Sequence, residues 1–384
     1  MFFSIVAFIQ RIIFLNIKLI KNQILWPENK SLFWVMTFFL LLGLLSVYSS
    51  TMILTAQADH YIKRQCLFFV TGYFIYIIGF FSGYCHWIFK LKHPWLYSVG
   101  LLLLPLTPIG LMVNGARRWI HFAGFSFQPS ELVKIFWITS LCHFVVKSHL
   151  DVQKKFFATR SLWLKLGVLL ALLLIQPDFG TAFLLTTLTL TLLFVARIRL
   201  DFYFAMILVF IGGVIVAIII APYRMRRFAA FLDPWTFAQD QGYQLIQSLI
   251  AIGSGSILGV GIGKGLQKHY ALPEAHTDFI FSAIVEETGL LGGVFLIGLF
   301  SWLILNLLNR GYQLAKKELY LECYLYLSSA ILFFLQTVIN LGVCLGLLPT
   351  KGLTLPFFSY GGSSLWIVMG LIGILDGFWK KNFK

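Results

Sequence analysis

Between Leu272 and Gly289 the chain reads LPEAHTDFIFSAIVEETG, which gathers Glu274, His276, Asp278, Glu286 and Glu287 in one short segment beside long apolar runs. Carboxylates and imidazole are the side chains that most often carry protons in general acid–base catalysis. In so apolar a chain, a carboxylate near the bilayer is expensive, which makes it a functional candidate by default. The same residues also admit a purely structural reading. Thr277 would cap a helix, with Asp278 favourably placed in its positively polarised first turn.

A second group lies upstream, in NGARRWIHFAGFSFQPSELVK from Asn114 to Lys134. Arg117 and Arg118 beside Trp119 suit a diphosphate or a lipid headgroup, because guanidinium forks onto phosphate oxygens and indole favours the membrane interface. Pro129-Ser130-Glu131 reads as a helix start with Ser130 as cap. Lys134, one turn further, could reach an anion or pair with Glu131. QPDFGT (Gln176 to Thr181) is explained as a tight turn by Pro177 and Gly180, with Asp178 accepting turn hydrogen bonds. Arg224, Arg226 and Arg227 lie close in sequence to Asp233, so internal pairing competes there with ligand binding. The glycines at 253, 255, 259, 261, 263 and 265 do not form a nucleotide loop, since Leu258 holds the first glycine position of that motif and Gly265 follows Lys264. They are expected to let a re-entrant backbone pack closely or approach a substrate closely. LPTKGLTLPFFSYGGSSL (Leu348 to Leu365) reads as an irregular segment before the last helix, with Lys351 its single charge.

The elements that must position these groups are membrane helices. Hydrophobic residues make up 59% of the 384 and charged residues 12%, with a mean hydropathy of +0.85. Soluble domains average about 25% charged residues, so the chain is polytopic and embedded in a lipid bilayer. Its 30 Lys and Arg against 15 Asp and Glu give +15. Strung between apolar runs, these basic residues set topology and attract anionic lipid rather than nucleic acid. The five cysteines are scattered without CxxC spacing. The expected fold is all-α, with about ten transmembrane helices near 31–51, 66–83, 95–113, 131–147, 162–176, 180–196, 202–221, 283–308, 322–347 and 360–379. Residues 1–30 read as a cytoplasmic arm on the membrane surface, not a cleaved leader. Residues 31–384 form one membrane domain, including a long extracytoplasmic, partly re-entrant loop at 222–282 between helices 7 and 8. With the N-terminus inside, inner segments carry about twice as many Lys and Arg as outer ones, so both termini are expected in the cytoplasm. Every polar motif above then falls on the outer face.

Taken in order, GARRW, FQPSELVK, QPDFGT, FLDPW, GYQLIQSLIAIGSG, LPEAHTDFIFS and LPTKGLTLPFFSYGGSS resemble the motifs of the SEDS family of bacterial cell-wall proteins. HTDFIF followed by two glutamates, LPTKGL, and KGLQ after the glycines resemble the division branch, the FtsW type; the elongation branch, RodA, is the runner-up. The resemblance implies a ten-helix peptidoglycan glycosyltransferase in the bacterial plasma membrane. It would polymerise lipid II, a disaccharide-pentapeptide on undecaprenyl diphosphate, alongside a class B penicillin-binding protein and other divisome membrane proteins. In the family the aspartate of HTDF is the essential carboxylate and falls on Asp278; the functionally important lysine falls on Lys134. Arg118 matches the arginine of GAxRW. The chain departs from the family at Ser126, where an arginine is usual.

The implied chemistry converts an α donor link into a β polymer link in one inverting displacement, which needs one base and no covalent intermediate. Asp278 is the expected base, with Glu274 and His276 beside it. Arg118, Lys134, Arg117 and the arginines 224, 226 and 227 could hold the departing diphosphate, and Glu131, His276 and Glu274 are expected to take part in binding the substrate. No cofactor is certain; a divalent cation, Mg or Mn, could share that task, although no ligand cluster proves one. A lipid II flippase would spread charge through mid-membrane helices, whereas here the polar motifs gather on one face. A non-catalytic divisome scaffold would not need the aspartate.

Overall fold

The computed structural model describes residues 32–51, 58–113, 115–122, 125–154, 159–267, 272–350 and 352–383. The expected N-terminal arm (1–30) and Lys351 lie outside the described residues. The apolar runs fold as helices, the one conformation that satisfies every backbone group of a single segment within lipid. In chain order these are α1 (Leu32–Thr51), α2 (Ala58–Tyr84), α3 (Pro94–Leu103), α4 (Pro129–Lys154), α5 (Arg160–Ile175), α6 (Phe179–Val195), α7 (Leu200–Ile220), α8 (Pro222–Leu232), α9 (Tyr243–Ser254), α10 (Ile280–Lys316), α11 (Tyr320–Cys344) and α12 (Gly362–Asn382). Among the described residues seven are long and apolar enough to cross a membrane: α1, α2, α4, α7, α10, α11 and α12. Each of the ten expected runs overlaps a helix, but the helices α3, α5 and α6 fall short of spanning length.

Two expectations need correction. The run at 95–113 is not one helix: α3 ends at Leu103, a 3-10 turn covers Leu104–Leu106, and the chain turns at Gly110 into a strand. That strand, β1 (Gly110–Val113), joins β2 (Ala116–Phe122) and β3 (Phe125–Phe127) in an antiparallel sheet of order β1-β2-β3. The fold is therefore mostly helical rather than all-α. Trp119, Ile120 and Phe122 in ARRWIHF are aromatic and β-branched residues that favour a strand, and two short connections close the ribbon. Within the segment 222–282 the chain forms the amphipathic α8 and the helix α9.

Helices α2 and α12 pack backbone to backbone. A Cβ on Gly373 would sit 2.2 Å from the Tyr76 carbonyl oxygen, and one on Gly377 would sit 2.1 Å from that of Phe80. Small residues substitute for a hydrophobic driving force between helices in lipid. Between these two glycines the buried Asp376 accepts the Leu32 and Phe33 N–H groups at 2.9 and 3.0 Å and the Tyr76 hydroxyl at 2.9 Å, with Arg310 3.4 Å away. One carboxylate on α12 thus ties the start of α1 to α2 and α10. Helices α11 and α12 form the buried centre, whereas α7 buries only Phe202.

Candidate active site

The reactive segment is a compact turn that runs into α10. Thr277 does not cap that helix: Phe279 occupies the N-cap position without a side-chain bond. The Thr277 hydroxyl instead donates to the Glu274 carboxylate at 2.6 Å, and Glu274 takes a left-handed backbone with φ 57°. The turn is held from below by α11, where the Asn340 side-chain amide donates to the Asp278 carbonyl and to the Leu353 carbonyl, each at 2.9 Å. It is held from the side by the last irregular segment, as Tyr360 N–H donates to the His276 carbonyl at 2.8 Å and the Ser359 hydroxyl to the Thr277 carbonyl at 2.7 Å. The main chain around Asp278 is fixed while its side chain is not spent on the fold.

The Asp278 carboxyl is half-buried and receives no hydrogen bond from any described residue. Removal from water, reinforced by the negative charge of Glu274 and only partly offset by Arg227, pushes its pKa up to about 7. Gly352 leaves it room, because a Cβ there would lie 3.0 Å from Oδ2. The guanidinium of Arg227 on α8 comes within 3.5 Å of the Thr350 carbonyl, placing a cation on the same side. A basic, unpartnered carboxylate beside a cation is what proton abstraction from an alcohol requires.

His276 serves the surroundings rather than the carboxylate. Its ring lies 5.0 Å from that of Tyr61 and 5.7 Å from that of Tyr360, and burial lowers its pKa. No hydrogen bond joins it to Asp278 among the described residues. Glu274 is exposed and acts on Asp278 through charge.

The upstream motifs converge on the same region in a different manner. Ser130 is not the cap of α4, which starts at Pro129; its hydroxyl donates to Asp178 at 3.0 Å. Asp178 caps α6 by accepting Thr181 N–H at 3.1 Å, and Gln128 donates to it at 3.3 Å. The structural reading of QPDFGT therefore holds. Gly180 in turn faces Leu353, with 3.5 Å left to a Cβ, so the start of α6 packs on the segment that covers Asp278. Arg118 donates to the Gln176 and Pro177 carbonyls at 2.9 and 2.5 Å, so part of its fork grips this turn. Arg117, the next residue along β2, is exposed. Ser126 is also exposed, 3.4 Å from His121 Nδ1. Lys134 and Glu131 form a buried pair at 2.6 Å. Arg224 lies over the Phe179 ring at 5.2 Å. Asp233 binds Thr236 rather than these arginines.

For Glu286 and Glu287 the sequence leaves two roles open, binding substrate or bonding other helices, and the structure shows bonds to other parts of the chain. Glu287 accepts the Ser49 hydroxyl at 2.6 Å and the Gly263 N–H at 2.9 Å, while Glu286 accepts the Gln267 N–H at 2.9 Å. The backbone continues the joint, with Val260 N–H donating to the Glu286 carbonyl and Gly261 N–H to that of Glu287, both at 3.0 Å. Gly289 breaks the helical geometry of α10 with φ 72°, and a Cβ there would lie 2.3 Å from the Ile257 carbonyl oxygen. The glycine-rich segment is thus a backbone clasp on α10, as the close-packing reading expected.

The family model for FtsW, RodA and SpoVE, described as "Cell cycle protein", matches residues 29–382. The chain is 40% identical over 362 residues to a protein of Coxiella burnetii named "Probable peptidoglycan glycosyltransferase FtsW", covering 92% of this chain and 97% of that one. Among solved structures it is similar to one described as "Structural coordination of polymerization and crosslinking by a peptidoglycan synthase complex". There the TM-score is 0.73 and the identity 28%, over 92% of this chain and 98% of the other. A variant of the Thermus thermophilus Rod shape determining protein RodA matches with a TM-score of 0.67 and 25% identity, over 92% of this chain and 97% of the other.

Proposed function

Because the chain belongs to the FtsW–RodA–SpoVE family of cell cycle proteins, we propose that it is a multi-pass membrane peptidoglycan glycosyltransferase that polymerises lipid II during cell division. The observation that carries this reading is the Asp278 carboxyl, raised to about 7 and free of hydrogen bonds from described residues, on a main chain clamped by Asn340. Near neutral pH about half of such carboxyls are ionised, and each ionised one is basic enough to take a proton as bonding proceeds. Division rather than elongation is supported by the 40% identity to a relative named FtsW, against 25% to RodA.

The acceptor's 4-hydroxyl would give its proton to Asp278 while its oxygen attacks C1 of the donor sugar from the face opposite the diphosphate. The C1–oxygen bond to diphosphate breaks, configuration inverts, and the carboxyl is left protonated. Asn340 and Ser359 keep the turn from drifting, which preserves alignment. Cations hold the leaving diphosphate without protonating it: Arg227 is on the Asp278 side, Arg117 is exposed, and Lys134 is one turn inside α4. Among the described residues no three His, Cys, Asp or Glu side chains gather into a metal cage. The steps here use the chain's own groups.

The basic-residue balance supports cytoplasmic termini and an outward-facing site. A class B penicillin-binding protein is the expected partner, supported by the description of the synthase complex to which this chain is similar; further divisome membrane proteins would join it. The test is labelled lipid II given to purified protein with and without its cognate transpeptidase. Long glycan strands support the reading. Lipid II translocation in liposomes without any polymer from the complex would replace it with a flippase.

A further inference from the structure

Directly under Asp278, α11 presents polar atoms that the fold leaves without partners. Asn340 is buried, and its amide nitrogen makes both bonds to main-chain carbonyls, of Asp278 and Leu353. Those two acceptors fix the sense of the amide, so its Oδ1 is the atom left unpaired. One turn deeper, Gln336 is 2% exposed with an unpaired Oε1, and beside it Thr337 is buried with an unpaired hydroxyl.

The Thr337 hydroxyl is unusual for this helix. Ser328 and Ser329 of α11 each return their hydroxyl to the carbonyl four residues earlier, at 2.7 and 2.8 Å, as Thr139 of α4 and four threonines of α6 also do. That local bond is the ordinary outlet for a hydroxyl in an apolar helix. Thr337 does not use it. Three oxygens on consecutive turns therefore lack partners where such a vacancy is costly, and native structures seldom tolerate this without a ligand or water to complete it.

Their depth identifies the ligand. Helices α4 and α11 run antiparallel, with Cys142 Sγ and Ser328 Oγ 3.8 Å apart. Eight residues from that contact along each helix, Lys134 and Gln336 are reached at a common depth, roughly 12 Å away at 1.5 Å per residue. The unpaired oxygens thus span from the level of the Lys134–Glu131 pair to the underside of Asp278. On the glycosyltransferase reading, the donor sugar with its acetamido substituent is the group that offers O–H and N–H donors to two amide oxygens and a hydroxyl between the Lys134–Glu131 level and the base.

We propose that Gln336, Thr337 and the Asn340 Oδ1 form the binding subsite for the N-acetylated sugar that carries the diphosphate in the donor substrate. This rests on the glycosyltransferase reading and adds to it the residues that select the donor ring. None of the three takes a proton; they bind and position.

The test uses full-length protein with its transpeptidase partner, in nanodiscs, and three near-isosteric variants: Gln336→Leu, Thr337→Val and Thr337→Ser. Binding of fluorescent lipid II is measured in an Asp278→Asn background so that turnover cannot obscure it, and KM and kcat are measured in the active protein. Because these oxygens bond no protein group, the apolar variants should unfold at the same or a higher temperature. Lipid II binding should weaken about tenfold for each, with KM rising more than kcat falls, and Thr337→Ser should retain wild-type binding. Unchanged binding in Gln336→Leu and Thr337→Val would mean that the oxygens hold ordered water only, and would overturn the proposal. Weakened binding accompanied by a lower unfolding temperature in both, with no rescue by serine, would overturn it as well. Failure of the wild-type complex to polymerise lipid II would be a separate result, since it strikes the glycosyltransferase reading and not the binding ratios.

Discussion

Replacing Asp278 by asparagine should stabilise the protein while abolishing its activity, and the gain should depend on pH. The carboxyl has a reference value of 3.8 and is held up to about 7 by burial and by Glu274. Its folded-state pKa lies above the unfolded one, so the native state binds the extra proton. The stability this confers is complete below about pH 4 and is lost as pH rises through 7. A gap of about three pH units at 1.36 kcal/mol each sets a ceiling of about 4 kcal/mol, and half-burial with local solvent screening reduces this to about 2 kcal/mol. Asparagine keeps the shape and never ionises. Thermal unfolding of wild type and Asp278→Asn in nanodiscs should coincide at pH 4 and separate by a few degrees at pH 8, the variant being the more stable. A difference that stays constant between these pH values would show that the carboxylate is not desolvated, and the argument for a raised base would fail with it.

Three further outcomes follow from the same geometry. The kcat/KM of the wild-type complex should rise with pH around a midpoint of about 7; Glu274→Gln should lower that midpoint and Arg227→Gln should raise it, and a midpoint indifferent to both would contradict the charge account. Lys134→Met leaves Glu131 buried without its partner and should cost about 3–5 kcal/mol in unfolding, whereas Lys134→Met with Glu131→Leu should recover most of that loss without recovering polymerisation. Gly289→Ala forces a Cβ onto the Ile257 carbonyl at a left-handed backbone position; it should lower stability by about 2 kcal/mol or more and open the 253–267 clasp to limited proteolysis.

The helices and the polar cluster at 272–289 were legible because both are one-body signals. Apolar runs of spanning length announce themselves, and charges in such a chain are costly enough to mark the 272–289 segment, within which only the resemblance to the family's HTDF motif singles out Asp278. The close packing of the glycines was also legible, since removing side chains has few other uses in lipid. What escaped are pairings between residues far apart in sequence. Ser49 on α1 donates to Glu287 on α10 across 238 positions, and nothing near either residue marks the other. Arg118 was read only as a phosphate fork, yet its grip on Gln176 and Pro177 depends on a sheet that the apolar run at 95–113 concealed. Ser130 looked like a cap because helix-start rules are local; in the fold its hydroxyl is taken by Asp178, 48 residues on. The unpaired oxygens of α11 could not be found from sequence at all, because a glutamine, a threonine and an asparagine in a helix look alike whether or not their partners exist.

The most direct measurement of the central claim is polymerisation of labelled lipid II by the protein with its transpeptidase partner, comparing wild type with Asp278→Asn and Asp278→Ala under conditions where lipid II binding is verified in all three. The account predicts glycan strands from wild type, loss of polymer by at least 100-fold in both variants on the usual scale of general-base catalysis, and binding retained. Polymer from Asp278→Asn at the wild-type rate would contradict it and shift the role of base to Glu274 or Glu131.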